Sequence, residues 1–192
     1  MKPPFPCIFL SVVLRARFIL TQTHHPGNVG ASARALKTMG FDELVLVKPH
    51  DPKVLIRKKC KDRASGAADV LDGAKVYEAL HEALEGTDVW CGTGMPVDMA
   101  QSRDLNERQF CEPRPFLEDL ARATEAKSIS FVFGNERAGM SKEDIELCHV
   151  MLGIPTNPTF GSLNLASAVQ LIAYDCRQAL GGFNSGNDED DG

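Results

Sequence analysis

The sequence predicts an α/β fold built on a mainly parallel sheet. Short, nearly continuous apolar runs alternate along the chain with longer amphipathic segments, and this alternation is typical of strands joined by crossover helices. The runs are apolar on both faces, as expected for strands that helices cover on both sides. The strands predicted in this way span residues 18–23, 44–47, 88–91, 129–133 and 150–154.

The size and composition predict one globular domain. The chain has 192 residues, of which 43% are hydrophobic and 24% are charged, enough to bury one substantial core. We assign residues 1–16 to an amino-terminal extension, 17–182 to the domain and 183–192 to a disordered acidic tail. The tail carries four of the negative charges behind the formal net charge of -5. The domain is therefore nearly neutral, which is compatible with RNA binding.

The first predicted crossover carries small residues at its turn. Residues 26–28 break the chain before a helix predicted over 29–39, and Gly40 stands where glycine usually ends a helix. Small residues at a helix start let a ligand or another backbone approach closely. Functional side chains are therefore expected at residues 28–30. A phosphate site and a plain, well-capped helix remain alternatives.

The predicted strand at residues 129–133 leads into a loop bounded by glycines. Gly134, Glu136 and Gly139 follow in the order Gly-x-Glu-x-x-Gly, and Ser141 can cap a helix that begins near Lys142. Open α/β sheets bind ligands at the carboxyl ends of their parallel strands. The loop is therefore a candidate ligand site.

The last predicted strand is followed by a proline-fixed loop and a long helix over residues 163–180. Pro155 and Pro158 restrict the loop, and Ser162 and Asn164 bring polar side chains to the helix start. Ser162 is also explained as a simple helix cap. One face of the helix is apolar, and it comprises Leu165, Ala168, Val169, Ile172, Ala173 and Cys176. The proline-rich residues 111–116 are predicted as a loop.

Positive charge is concentrated between residues 48 and 63. Basic side chains there exceed acidic ones by about five. This excess predicts contacts with RNA, and the alternative is a plain solvated surface. The predicted RNA contacts are Arg57, Lys58, Lys59, Lys61 and Arg63.

The six cysteines predict no metal site and no disulfide framework. They form no CxxC pair and none has a histidine at zinc-ligand spacing, so we expect reduced packing residues in a cytoplasmic protein. No apolar run approaches the length that spans a membrane. The apolar residues 7–14 lack a signal-peptide cleavage site.

Together, the three polar segments resemble the motifs of the SpoU/TrmH class of RNA 2′-O-ribose methyltransferases. The class pattern is carried, in this order, by Asn28 and Arg34, by Phe133, Gly134, Glu136 and Gly139, and by Ile154, Pro155, Ser162, Leu163 and Asn164. Within the class, the chain is most similar to the TrmJ branch. That similarity rests on residues 25–28, 63–67 and 157–158.

The resemblance implies a fold, a reaction and a set of site residues. The fold would be a Rossmann-like sheet with a deep carboxy-terminal trefoil knot, in a homodimer. The reaction would be 2′-O-methylation of tRNA by S-adenosylmethionine at cytidine or uridine in position thirty-two of the anticodon loop. Arg34 would act at the ribose, while Asn28, Glu136, Ser162 and Asn164 would orient Arg34 and the surrounding loops. The cofactor would contact Thr93, Gly94, Met95, Gly134, Ile154, Gly161, Ser162 and Leu163.

One segment departs from the TrmJ pattern. Residues 93–99 read Thr-Gly-Met-Pro-Val-Asp-Met where a Thr-Ser-Ala-Arg-like stretch is common. The arginine of that stretch, an expected contact to the substrate, is therefore missing. Two alternatives therefore stay open: a catalytically silent RNA-binding relative, and a ribose methyltransferase for another tRNA or rRNA position. A nicotinamide dehydrogenase is disfavoured because the GxGxxG fingerprint is absent.

Overall fold

The computed structural model describes residues 14–94, 109–123 and 127–183. The strands in these ranges form one parallel sheet in the order β3-β2-β1-β6-β4-β7-β5. They are β1 (Arg15–Thr21), β2 (Glu43–Val47), β3 (Lys75–Tyr77), β4 (Val89–Gly94), β5 (Gln109–Cys111), β6 (Ser128–Phe133) and β7 (Val150–Gly153). The predicted mainly parallel α/β sheet is confirmed.

The described helices connect these strands in sequence, except the last one, which follows β7. They are α1 (Pro26–Thr38), α2 (Lys58–Ala64), α3 (Ala68–Asp72), α4 (Leu80–Leu84), α5 (Pro113–Arg122), α6 (Lys142–Leu147) and α7 (Leu165–Ala179), with a 3₁₀ turn at Val54–Ile56. No helix within the described ranges has the length and apolar character needed to cross a membrane.

The central strands contribute side chains to two separate cores. Phe18 and Leu20 of β1 lie in one core, whereas Ile19 between them lies in the other. Successive strand residues point to opposite faces of a sheet, so a strand covered on both sides is mostly apolar on both faces. The rings of Phe18 and Phe131 lie 5.0 Å apart across the β1–β6 pair. All five predicted strands are present, with boundaries shifted by up to three residues.

The start of α1 corrects the predicted turn. The helix begins at Pro26, so residues 27 and 28 lie in its first turn instead of breaking the chain. Proline is favoured at this position because the first helical N–H has no partner within the helix. At the other end the prediction holds, since Gly40 has a φ of +69° just after the helix.

The predicted loop at residues 111–116 is wrong. Cys111 ends strand β5, and α5 begins at Pro113 with a second proline at position 115. Both prolines lie in the first turn of α5, where the missing N–H costs no intrahelical hydrogen bond. The proline cluster therefore starts a helix.

The apolar face of α7 is occupied within the protomer. Val169, Ile172, Ala173 and Cys176 are fully buried, and α7 packs against α1 and α5. The apolar face of the final helix is therefore part of the core of the protomer. The side chains of α7 that point outward include Leu171 and Tyr174, which are 40% and 41% exposed.

The described cysteines are free thiols, and four of them are buried: Cys60, Cys91, Cys148 and Cys176. Burial raises the pKa of the Cys60 thiol to about 11 and that of Cys176 to about 12. These thiols therefore stay protonated and serve as packing groups.

Candidate active site

The carboxylate of Glu136 ties the loop after β6 to the start of α1. Its Oε1 accepts hydrogen bonds from Asn28 Nδ2 at 2.8 Å, Thr23 Oγ1 at 2.9 Å and the backbone N–H of His25 at 3.2 Å. Its Oε2 accepts from the backbone N–H of His24 at 3.0 Å. Four donors from one short segment thus converge on a single carboxylate.

This environment keeps Glu136 ionised. Burial alone would raise its pKa, but the hydrogen bonds from the His24 N–H, Asn28 and Thr23 outweigh burial, and the net pKa lies below the ordinary value. Because both oxygens accept hydrogen bonds, the carboxylate holds the two segments together and is not available as a general base.

Asn28 links the Glu136 carboxylate to the final helix. The Asn164 Nδ2 group donates to Asn28 Oδ1 at 3.1 Å, while Asn164 Oδ1 accepts from the N–H of Ala166 at 3.0 Å and caps α7. Asn164, and not Ser162, is therefore the cap of the final helix. The three segments singled out in the sequence meet through the chain Glu136–Asn28–Asn164.

A cavity of about 490 Å³ opens beside this chain of hydrogen bonds. Glu136 and apolar side chains such as Met140, Ile145 and Met151 form part of its wall. The predicted cofactor residues that border it are Thr93, Gly94, Gly134, Ile154, Gly161, Ser162 and Leu163. Met95 lies outside the described residues. One cavity thus gathers the ends of β4, β6 and β7 and the approach to α7.

Close backbone packing shapes the wall that follows β6. A Cβ atom on Gly134 would lie 2.0 Å from the carbonyl carbon of Gly139, so a larger residue does not fit. Asn135 and Gly139 exchange two backbone hydrogen bonds of 3.0 Å, and Asn135 Oδ1 accepts from the N–H groups of Arg137 and Ala138. The loop is therefore tightly folded.

Arg34 lies apart from the hydrogen-bonded chain. Its side chain is exposed and makes no hydrogen bond or ion pair to another described residue. Asn28 and Arg34 are six residues apart in α1, which places them about 120° apart around the helix. Asn28, Glu136 and Asn164 are joined by hydrogen bonds, and within the described ranges no hydrogen bond links them or Ser162 to Arg34. The expected orientation of Arg34 by these residues stays a prediction.

The basic segment divides into paired and unpaired side chains. Arg57 forms an ion pair with Asp51, and Lys58 Nζ lies 2.7 Å from Asp62 Oδ2. The other three predicted RNA contacts are exposed and have no ion-pair partner among the described residues: Lys59, Lys61 and Arg63. In the same ranges, no group of three or more histidine, cysteine or acidic side chains could hold a metal ion.

The sequence reasoning missed Thr23. This residue is fully buried two residues after the end of β1. Its hydroxyl donates to Glu136, and its carbonyl accepts from the N–H of His50 at 3.0 Å. A polar residue at the end of a buried strand was the available signal.

Several proteins similar to this chain are named as tRNA 2′-O-methyltransferases. The protein most useful for comparison is tRNA (cytidine/uridine-2′-O-)-methyltransferase TrmJ of Photorhabdus laumondii subsp. laumondii, which is 42% identical over 163 residues. That alignment covers 85% of this chain and 64% of the relative, so the chain spans less than two thirds of the relative's length.

Two solved structures agree with this fold. A probable methyltransferase from Bordetella pertussis Tohama I is 43% identical with a TM-score of 0.77, over 88% of this chain and 98% of that one. TrmJ from Z. mobilis ZM4 is 29% identical with a TM-score of 0.73, over 85% and 69% of the two chains. The model of the SpoU rRNA methylase family matches residues 15–174. The chain therefore belongs to the SpoU rRNA methylase family, as its motifs predict.

Proposed function

We propose that this chain transfers a methyl group from S-adenosylmethionine to a ribose 2′-hydroxyl of tRNA, at cytidine or uridine in position thirty-two of the anticodon loop. The observation that carries the proposal is the cavity where Gly134, Ile154 and Ser162 meet beside the Glu136–Asn28–Asn164 chain. The names of the relatives described above support tRNA as the substrate. Such an enzyme would work in the cytoplasm.

The residues around the cavity fit the proposed cofactor. Its volume of about 490 Å³ lies within the range of about 300–1,000 Å³ that is usual for small-molecule sites. Apolar walls suit the adenine ring, and backbone groups of the glycine-rich loops are accessible for hydrogen bonds. When bound, S-adenosylmethionine supplies an activated methyl group and a neutral leaving group.

Arg34 is the proposed group at the ribose. A guanidinium stays protonated at physiological pH, so it is a poor base but a good donor to developing oxyanion charge. Its exposure and its lack of a partner among the described residues leave its donors available to RNA. A substrate phosphate or a water molecule would accept the proton, because Glu136 has both oxygens engaged.

The basic segment at residues 57–63 is the proposed RNA contact outside the cavity. Its charge would attract the phosphate backbone without reading sequence. We also propose the trefoil knot and the homodimer that the family resemblance implies. Because the apolar face of α7 is buried, the dimer would use the outward side with Leu171 and Tyr174.

Mass spectrometry of a tRNA transcript incubated with the purified chain and S-adenosylmethionine tests the proposal. The expected product is a single 2′-O-methylated nucleotide at position thirty-two. Methylation at a different position, or of rRNA alone, would overturn the substrate assignment. Calorimetry with S-adenosylmethionine is the second measurement, and an absence of binding would identify a silent RNA-binding relative instead.

A further inference from the structure

The basic residues of α2 lie on two different flanks of the helix. At about 100° per residue, Lys59 and Arg63 lie within about 40° of each other, whereas Lys61 lies on the opposite flank. The buried side chains Cys60 and Ala64 separate the two flanks on the core side. The helix therefore presents two distinct basic edges.

The edge with Lys59 and Arg63 lies against the first turn of α1. A Cβ atom on Gly27 would lie 3.2 Å from Lys59 Cε and 3.7 Å from Arg63 Cγ. Both stems thus lie beside a position that carries no side chain of its own. Gly30 allows this close approach, because a Cβ there would lie only 1.9 Å from the Cys60 carbonyl oxygen.

Gly27 is the immediate neighbour of Asn28, whose amide donates to Glu136 at the wall of the cavity. The Lys59–Arg63 edge therefore begins one residue away from the hydrogen-bonded chain of the active site. Lys61 and Lys58 point away from α1 by the same helical geometry.

The charges on this edge are available to a ligand. Lys59 and Arg63 are exposed and have no hydrogen-bond or ion-pair partner in the described part of the chain. Arg57 and Lys58, by contrast, are neutralised by Asp51 and Asp62. Glu136 in the cavity wall already accepts hydrogen bonds from four donors.

The first turn of α1 carries no negative side chain of its own. α1 is 13 residues long, has no acidic residue in its first turn, and receives no side-chain cap from His25. The partial positive charge of such a helix end is offset here by the Glu136 carboxylate, so the positive charge of this region comes from the basic side chains. Arg34 lies on the side of α1 that carries Gly27 and Gly30, within about 40° of Gly30 around the axis and about 10 Å along it from Gly27.

We propose that Lys59 and Arg63 bind two successive RNA phosphate groups next to the ribose that enters the active site, and that Arg57, Lys58 and Lys61 contribute little to this contact. The inference rests on the proposed function and assigns its substrate contact to two named side chains. Two adjacent cations on one edge match a phosphate group and its neighbour along the backbone.

Two double variants with equal charge change test the assignment: Lys59→Ala with Arg63→Ala, and Lys58→Ala with Lys61→Ala. The dissociation constant of a tRNA transcript is measured for the full chain over a range of salt concentrations. We expect the first pair to reduce the slope of log affinity against log salt by about 2, roughly one per phosphate contact. The second pair should change the slope by less than half as much.

The cofactor affinity and thermal unfolding of both variants serve as the folding check. Equal slopes for the two double variants would overturn the inference, as would an unchanged slope for Lys59→Ala with Arg63→Ala. Methyl transfer by the unsubstituted chain is assayed alongside. If that chain methylates tRNA while the two variants behave alike, the proposed function stands and the phosphate assignment fails.

Discussion

The amide of Asn28 donates to the carboxylate of Glu136 at 2.8 Å and thereby joins the first helix to the loop after β6. Replacing Glu136 with Gln puts an NH₂ group where one oxygen now accepts from Asn28, Thr23 or a backbone N–H. We expect a loss of about 1–3 kcal/mol in unfolding free energy, the usual cost of an unsatisfied half-buried donor. Urea unfolding at neutral pH measures it.

The same contact predicts a pH dependence. Because the pKa of folded Glu136 lies below its unfolded value, its ionised form stabilises the fold above the unfolded pKa. That contribution is lost as pH falls through the folded pKa. The stability gap between the parent and Glu136→Gln should therefore narrow in acid, below about pH 4. A gap that stays constant down to acid unfolding would argue against an ionised Glu136.

Arg34→Ala should abolish most methyl transfer while leaving the fold intact. The side chain is exposed and has no partner in the described residues, so its removal costs little stability. Losing one oriented donor at developing charge typically slows a reaction about hundred- to thousandfold. Arg34→Lys should fail too, because lysine lacks the planar fork.

Single-turnover methylation at saturating tRNA and S-adenosylmethionine separates the Arg34 effect on chemistry from an effect on binding. Near-parent rates for Arg34→Ala under these conditions would reduce Arg34 to an RNA-docking residue.

Asn164 has two separable roles. Asn164→Ala removes both the α7 cap and the donor to Asn28, and should cost about 0.5–2 kcal/mol of stability. Asn164→Asp keeps a capping oxygen but has no N–H for Asn28, so it should retain most of the stability and still slow methyl transfer. Denaturant unfolding and single-turnover rates are compared for both. Parent-like rates in Asn164→Asp would show that the Asn28 contact is dispensable.

Gly30→Ala should separate α1 from α2. The new Cβ would lie 1.9 Å from the Cys60 carbonyl oxygen, and such overpacking costs about 1–3 kcal/mol or more. Gly66→Ala is the matched control, because nothing lies within 4 Å of its Cβ position. Thermal unfolding of both variants gives the comparison. Equal stability of the two would mean that the helix contact is looser than described.

The central strands were predictable because burial on both faces leaves short continuous apolar runs, as at Phe18–Leu20 of β1 and Phe131–Phe133 of β6. The edge strands Lys75–Tyr77 and Gln109–Cys111 were missed. Each has three residues, too few for a period-two pattern to stand out. Pro113 misled the prediction because proline signals both a loop and the first turn of a helix.

The sequence predicts which residues form the candidate site, but it does not predict the hydrogen bonds that join them. Asn28, Glu136 and Asn164 were recognised by resemblance to family motifs, yet nothing in the sequence predicts that Thr23 and two backbone N–H groups share the Glu136 carboxylate. Those contacts depend on how β1 and β6 lie side by side in the sheet. The separation of Arg34 from Asn28 around α1 could have been derived from helical geometry.

The Asn164–Asn28 hydrogen bond spans 136 positions in the chain. Contacts this distant in sequence slow folding, because a long loop must close before they contribute. A nascent chain that has released only its first hundred residues from the ribosome lacks two of the three segments around the cavity. The proposed methyl transfer would require α7 to be docked, so the appearance of methyl transfer during refolding would time that docking.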